Sequence, residues 1–390
     1  MKARVLRSID AIPARDWDAV CRDAVFSHAW FRALEVSGAV DCEPRHLALE
    51  SEGRLLGVLP CFVQRGDPYD TLVERLFGPL ARALPARALV AYSPLSQRTE
   101  LWLADGVDVE AAVRACTVAM DAICRDEQIG LAGWPFVRAD DSALARALRA
   151  CGHRSAFLAP SARWLNPPHA SFEGYLECFK QVSRKRYKDV RHELNRFERS
   201  GVLLEEQPLA ALPDELLASY QDRHYGRHNA GRRSPFTAAF FAALKRELGA
   251  RAVVHTARRG DELLSYSVVI QGGERWHMFL SGDRDEASAH ADKLHFNLNF
   301  YYPIRRAIEC GARQLDYGLS TYESKLQRGC VLDSVHVWLR PHSALLRAAL
   351  PAWLPLLDAW YRRKHAHLPL PAAPAEPATA ASARAWQAVE

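Results

Sequence analysis

Two stretches late in a 390-residue chain hold the side chains best suited to chemistry. In the first, His295, Asn299, Tyr302 and Arg306 recur at helical spacing, which puts them on one polar stripe. Leu294, Leu298, Tyr301 and Ile308 make the packed side of the same helix. In the second, Asp316 and Tyr317 lie on an expected strand, and Tyr322-Glu323-Ser324-Lys325-Leu326-Gln327-Arg328-Gly329 follows. A histidine and a carboxylate beside tyrosines can move protons, so the stripe could surround an amine acceptor. A solvated face with one capping histidine is the competing reading. Lys325 lies between Gly318 and Gly329, in a loop whose backbone can approach a ligand closely; the competing reading is an exposed lysine.

A third feature is electrostatic. The chain carries a net charge of +5, yet Ser183–Arg199 alone holds seven basic residues against three acidic ones. Such a patch can meet phosphates, RNA or a membrane surface, or can be a solvated helix. Other candidates are weaker. His28 reads as a structural histidine at a helix start. His224 and His228 are four apart without a carboxylate partner at metal spacing, which argues against zinc. No GxSxG and no recognisable Cys–His spacing points to a hydrolase.

Composition bounds the rest. Hydrophobic residues make up 49% and charged residues 25%, the balance of a folded chain. The length suits two domains of about 150–200 residues. Arginine outnumbers lysine 43 to 8, which reads as a GC-rich, bacterial gene. Nine single cysteines form no CxxC pair, and the start lacks an apolar signal region, so a reducing cytoplasm is expected. No apolar run approaches the roughly 18 residues of a membrane span, and integral membrane association is not expected.

The elements that must position these residues read as follows. Helices are expected at Ser27–Ser37, Val109–Arg125 and Ser142–Cys151, and strands at His46–Glu50, Leu55–Val63, Ile129–Val137 and Ser155–Trp164. Gly66–Pro94 reads as mostly loop. The second half has helices at Phe172–Gln181, Arg184–Glu198, Asp214–His224 and Pro235–Leu248, the last with Ser234 as N-cap. Strands follow at Ala252–Arg258, Leu263–Gln271 and Arg275–Leu280, then a long helix from Ala291 to Glu309, then strands Gln314–Tyr317 and Ser334–Leu339. Pro351, Pro355 and Asp358 spoil the apolar Ala344–Lys364 stretch as a membrane-surface helix, so it is expected to pack on a domain. Pro369–Ala381 reads as disordered.

The motifs resemble a family, the GNAT-superfamily predicted N-acyltransferases that are peptidoglycan-biosynthesis-like or Fem-type. Leu294-His295-Phe296, Tyr301-Tyr302, Ile304, Ala307-Ile308 and Gly311 match its LHF…YY…I…AI..G block, and Lys325 to Gly329 match its K..RG. Phe26 to Glu35 is similar to its opening SHAFL.ALE block, and Ser183 to Tyr187 to its SRKRK segment. The resemblance implies an α/β (α+β) fold of two tandem GNAT-like domains, each a mixed twisted sheet flanked by helices. They would span 1–165 and 166–342, followed by an apolar segment 343–368 and a tail 369–390.

It also implies transfer of an acyl group from an activated donor, acyl-CoA as co-substrate, to a primary amine acceptor, without a metal. An aminoacyl-tRNA-dependent Fem-type aminoacyltransferase, with tRNA as partner, is the alternative; a non-catalytic interaction protein is another. His295 and Asp316 would then stand near the acceptor, Tyr302 would position it, and Lys325 would meet the donor's phosphate or carbonyl. Arg184, Lys185, Lys188, Lys293 and Arg328 would bind the donor. The sequence departs from the family in two ways. The GNAT pyrophosphate loop [QR]-x-x-G-x-[GA] is missing at Ser281–Ser288, where three acidic residues oppose an anion, and Asn297 replaces the family's Glu. The Gly318–Lys325 loop is also one residue longer.

Overall fold

The structure is a computed structural model that describes residues 1–64, 76, 87–166, 171–229, 231–287 and 291–371. Most of the Pro/Gly-rich stretch read as loop, and almost all of the Pro/Ala tail, lie outside the described residues. The chain divides into two compact units. Among the described residues, one comprises Met1–Arg22, Phe26–Ser161 and 333–371; the other is built on Ala162–Leu332. Each is a mixed α/β assembly of strands flanked by helices.

The first unit runs β1 (Lys2–Leu6), α1 (Ala14–Val20), α2 (His28–Ser37), β2 (Cys42–Pro44), β3 (His46–Ser51), β4 (Arg54–Leu59), β5 (Cys61–Gln64), β6 (Ala88–Ala91) and β7 (Trp102–Leu103). Then come α3 (Val109–Asp126), β8 (Leu131–Arg138), α4 (Ser142–Ala150) and the start of β9 (Arg154–Leu165). Strands β1-β3-β4-β7 form one antiparallel sheet. Helix α2 starts where the Ser27 side chain accepts the Trp30 N–H, and it stops at Gly38, whose φ of 65° suits a residue without Cβ. Helix α3 buries Val113, Cys116, Met120 and Ile123, one stripe at three- and four-residue spacing. That stripe meets Leu47, Leu59, Val63 and Trp134 in a single core. Strand β6 falls inside the stretch expected as loop; its four residues are all buried.

The second unit runs α5 (Phe172–Val182), α6 (Arg184–Glu198), β10 (Leu203–Pro208), α7 (Asp214–His228), α8 (Ala238–Leu248), β11 (Ala252–Arg259), β12 (Glu262–Gly272) and β13 (Arg275–Asp283). After a helical segment ending in α9 (Tyr302–Glu309) come β14 (Gln314–Gly318), α10 (Tyr322–Leu326) and β15 (Cys330–Pro341), which continues into the first unit. The strands order as β10-β11-β12-β13-β14-β9. All neighbours are antiparallel except β13 and β14. This is the strand, two helices, three-strand meander, helix, strand order of the GNAT-like fold.

Three details differ from the sequence reading. Helix α8 is capped by Thr237, which accepts the Phe240 N–H, while Ser234 turns the chain earlier by accepting from Phe236. The long helix is not continuous. A short helical turn, Leu294–Phe296, passes into a π-turn, Asn297–Tyr301, before α9. Pro303 supplies the reason: it has no N–H for the Asn299 carbonyl and its ring crowds that position, so the helix widens there. Finally, Ala344–Lys364 is one helix, α11, despite Pro351 and Pro355 inside it.

Candidate active site in the second unit

Parallel strands β13 and β14 pair over only three positions, Arg275–His277 with Gln314–Asp316. Strand β13 then runs on to Asp283 paired with β12 alone, so the two parallel strands part like a fork. Asp316 is the last paired residue, and the His277 imidazole opposite it comes within 3.6 Å of its carboxylate. Both are nearly buried, and Gln314 donates to the other Asp316 oxygen. A carboxylate–imidazole pair at the crotch of a fork can receive or pass a proton. Tyr317, one residue on, stacks on Phe300 of the π-turn at 4.9 Å.

Where β14 leaves β13 its carbonyls need other donors. Lys325 supplies them. Its Nζ donates to the carbonyls of Tyr317, Gly318 and Leu319 at 2.7, 3.1 and 2.9 Å. This side chain is only 5% exposed, and burial pushes its pKa down to about 8. The turn it holds is strained, with Ser320 and Thr321 at φ of 69° and 47°. Lys325 is therefore not the exposed lysine of the competing reading, and its ammonium is committed to backbone carbonyls and not free for a donor's phosphate or carbonyl. It belongs to α10, and an ammonium has only three protons to give, all committed here.

Arg328 is similarly engaged. It clamps Glu193 through both carboxylate oxygens at 2.9 and 2.8 Å, and donates to the Ser324 carbonyl. Its guanidinium lies 3.5 Å from the centroid of the Phe296 ring. Tyr301 donates its hydroxyl to the same Glu193. Burial and that carboxylate hold the Tyr301 hydroxyl well above its ordinary pKa. Arg328 thus fastens α6, the π-turn and α10 together, with Nη1 and Nη2 committed to protein acceptors.

A cleft of about 590 Å³ adjoins this clamp, lined among others by Ser183, Lys185, Arg186, Asp189, His192, Lys293 and Gln327. It lies at the N-terminus of α6, where Ser183 accepts the Arg186 N–H. Burial pushes the Arg186 guanidinium below its ordinary pKa. Lys185 and Lys293 make no ion pair among the described residues. The structure thus brings Lys185, Lys293 and Arg328 to one cleft. Arg184 and Lys188 are exposed and do not line it.

The π-turn divides the expected polar stripe. Asn299 accepts from Ser281 at 2.6 Å and approaches the exposed His295 ring at 3.3 Å. Tyr302 and Arg306 turn elsewhere. Tyr302 packs edge-on against buried His255, and Arg306 pairs with Glu206 at 3.0 Å. Burial pushes the His255 ring below its usual range, and the hydrogen bonds that Glu206 makes with His255 at 3.0 Å and with Arg306 bring its carboxyl down to about 2.

Sequence reading passed over His277 and Glu193, and it named Asp283 and His224 without pairing them. The parallel register that places His277 opposite Asp316 is not visible in a linear sequence. Glu193 was readable as the one mid-helix carboxylate three residues from an apolar Val190. Asp283 is buried and bonded by His224 at 2.7 Å, Ser265 at 2.7 Å and Arg227. Burial pushes its carboxyl up, but those partners more than compensate and hold it low. His28 has a plainly structural place, bonding the carbonyls of Ile9 and Ile12.

Comparison with known proteins agrees with this architecture. No curated protein matches the chain. Among solved structures, FemX superposes with a TM-score of 0.58 at 12% identity, covering 90% of this chain and 100% of its own. The C-terminal domain (DUF2156) of a putative lysylphosphatidylglycerol synthetase from Agrobacterium fabrum gives 0.53 at 13%, covering 90% and 94%. A conserved protein of unknown function from Bacteroides thetaiotaomicron gives 0.54 at 11%, covering 86% and 99%. At these identities the likeness is one of fold. Residues 8–368 match the FemAB-like family of peptidoglycan biosynthesis/recognition proteins, and the chain belongs to that family.

Proposed function

We propose that the protein is an N-acyltransferase that joins an activated acyl group to a primary amine, with acyl-CoA as donor. The observation that carries this reading is the fork between β13 and β14, where β13 runs on beyond its last pairing with β14 and leaves strand edge along which a linear donor arm can lie. In the reaction the amine nitrogen attacks the donor carbonyl, the new C–N bond forms, the C–S bond breaks, and the amine's proton passes to the leaving thiolate. In this reading Asp316 with His277, 3.6 Å apart, carries that proton. Lys325 acts indirectly, by fixing the backbone of Tyr317–Leu319. The cleft at Lys185 and Lys293 supplies cations for the donor's phosphates, taking over from the missing glycine loop. Tyr302 and His295 would then shape the walls on either side of the π-turn without direct chemistry.

One observation favours a second donor. Arg184, Lys185 and Lys188 form an exposed basic face on α6, suited to the repeating phosphates of an aminoacyl-tRNA. The two donors are separated by incubating the full chain with a panel of primary amines and either labelled acetyl-CoA or labelled aminoacyl-tRNA. Amide product from acetyl-CoA that survives ribonuclease supports the first reading. Product formed only from aminoacyl-tRNA, and lost after ribonuclease, overturns it in favour of the second. No product from either refutes both.

A further inference from the structure

We infer that the first unit holds a separate binding site for a phosphate-bearing small molecule, at the start of α11. A cavity of about 790 Å³ opens there, within the size range of small-molecule sites. Its lining carries four arginines, Arg125, Arg154, Arg340 and Arg347, against a single carboxylate, Asp121.

That carboxylate is already spent. Arg340 grips it through two hydrogen bonds of 2.7 and 2.9 Å. Arg340 is itself anchored further by the Cys151 carbonyl. The other three arginines are exposed and make no ion pair among the described residues. They reach the cavity from three elements: Arg125 from the last turn of α3, Arg154 from the first residue of β9, Arg347 from the first turn of α11.

One further feature has the same sign, and another adds a polar group. The first turn of this 21-residue helix faces the cavity through Ser343, leaving the N–H groups of Ala344 and Leu345 without acceptors inside the helix. His342 also lines the cavity; its Nε2 is shielded from solvent and lies 3.4 Å from Asp121, without a hydrogen bond. Planar guanidinium groups arranged around a helix start suit a phosphate's oxygens, which accept paired hydrogen bonds.

Shape alone would not distinguish this place. A comparable cavity in the same unit, about 950 Å³, is lined by Lys2, Arg7 and Arg114 against Asp108, Glu110, Asp126 and Glu127. Its charges oppose one another, and Arg7 is already paired with Glu127. Of these two cavities, the one at α11 is the one that combines concavity with an uncancelled positive surplus. The inference is independent of the acyltransfer reading, since none of these residues belongs to the fork or to the α6 cleft.

The test is calorimetric titration of the full chain with inorganic pyrophosphate and with ADP. It compares wild type, the triple variant Arg125→Ala/Arg154→Ala/Arg347→Ala, and the α6-cleft variant Lys185→Ala/Lys293→Ala. The arginines are exposed, so the triple variant should keep its melting temperature. Saturable binding that weakens about a hundredfold or more in the triple variant, and persists in the α6-cleft variant, is the expected result. Should the triple variant misfold, Arg347→Glu alone replaces it, with the same expected direction. Equal binding by wild type and the arginine variant overturns the inference, as does loss only in the α6-cleft variant. Absence of saturable binding to wild type at low salt also overturns it. Retention of ADP with no binding of pyrophosphate overturns the phosphate chemistry in favour of base recognition.

Discussion

Lys325 shows how a residue's type can be legible while its role is not. Its place in a K..RG motif marks it out, but three carbonyl partners convert it from a surface donor into a brace for the strand end. Lys325→Ala should therefore destabilise the protein by about 3 kcal/mol or more, because it strands several buried carbonyls. Denaturant melts would measure that, and an unchanged midpoint would return Lys325 to the surface. The pH dependence has a definite sign. The folded value, about 8, is depressed below the ordinary 10.5, so the unfolded chain binds the extra proton between them. Wild-type stability relative to Lys325→Met should accordingly climb from about pH 8 to pH 10.5 and be flat below. In the proposed reaction Asp316 carries the proton instead. Asp316→Asn should keep the fold and lower kcat by about 10²–10⁴, the usual worth of a positioned proton acceptor, with KM for donor little changed. A rate within twofold of wild type would remove Asp316 from the reaction. Sequence pointed to Asp316 through its neighbours, whereas His277 emerged only from the strand register.

Among the elements, the helix boundaries were mostly written in local chemistry. Ser27 and Gly38 bracket α2, and Ser183 opens α6, as their side chains and φ values require. The failure at Asn297–Tyr301 came from applying a 3.6-residue period across Pro303, a residue that breaks the ladder it relies on. With the wider π-turn, Asn299 faces Ser281 while Tyr302 faces His255, and Phe300 is brought onto Tyr317. Pro303→Ala restores the N–H that an ordinary helix needs. We expect it to leave stability unchanged or raise it by up to about 1 kcal/mol, yet to lower turnover, since the stacked Phe300–Tyr317 pair at the fork would rotate away. Hydrogen exchange at residue 303 together with steady-state rates would show it. Faster turnover in this variant would mean that the π-turn has no part in shaping the site.

At the scale of the whole chain, α11 decides whether the first unit is complete. Its prolines misled the sequence reading because their local penalty, about 3 kcal/mol apiece in a helix interior, looked prohibitive. Two facts reduce it. Pro351 and Pro355 are exposed, and the first of the carbonyls they leave without donors belongs to exposed Arg347, so water can satisfy it. The opposite face buries Leu346, Leu350, Leu354, Leu357 and Tyr361, a stripe worth roughly 2 kcal/mol per side chain, or about 10 in all. Asp358 adds a hydrogen bond to the Phe157 N–H at 2.7 Å, and Trp353 donates to the Leu76 carbonyl. Burial therefore exceeds the proline cost, and it is comparable with the entire stability of an ordinary domain, about 5–15 kcal/mol. Two variants probe the two sides of that balance. Leu354→Ala should cost about 2–5 kcal/mol, since it empties a site in the middle of the buried stripe. Pro351→Ala/Pro355→Ala should raise stability, because it restores backbone hydrogen bonds without touching the buried face. A chain ending at residue 343 should lose the first unit's cooperative thermal transition. A truncated chain that melted like the full protein would show that α11 is an appendage and that the stripe contributes little.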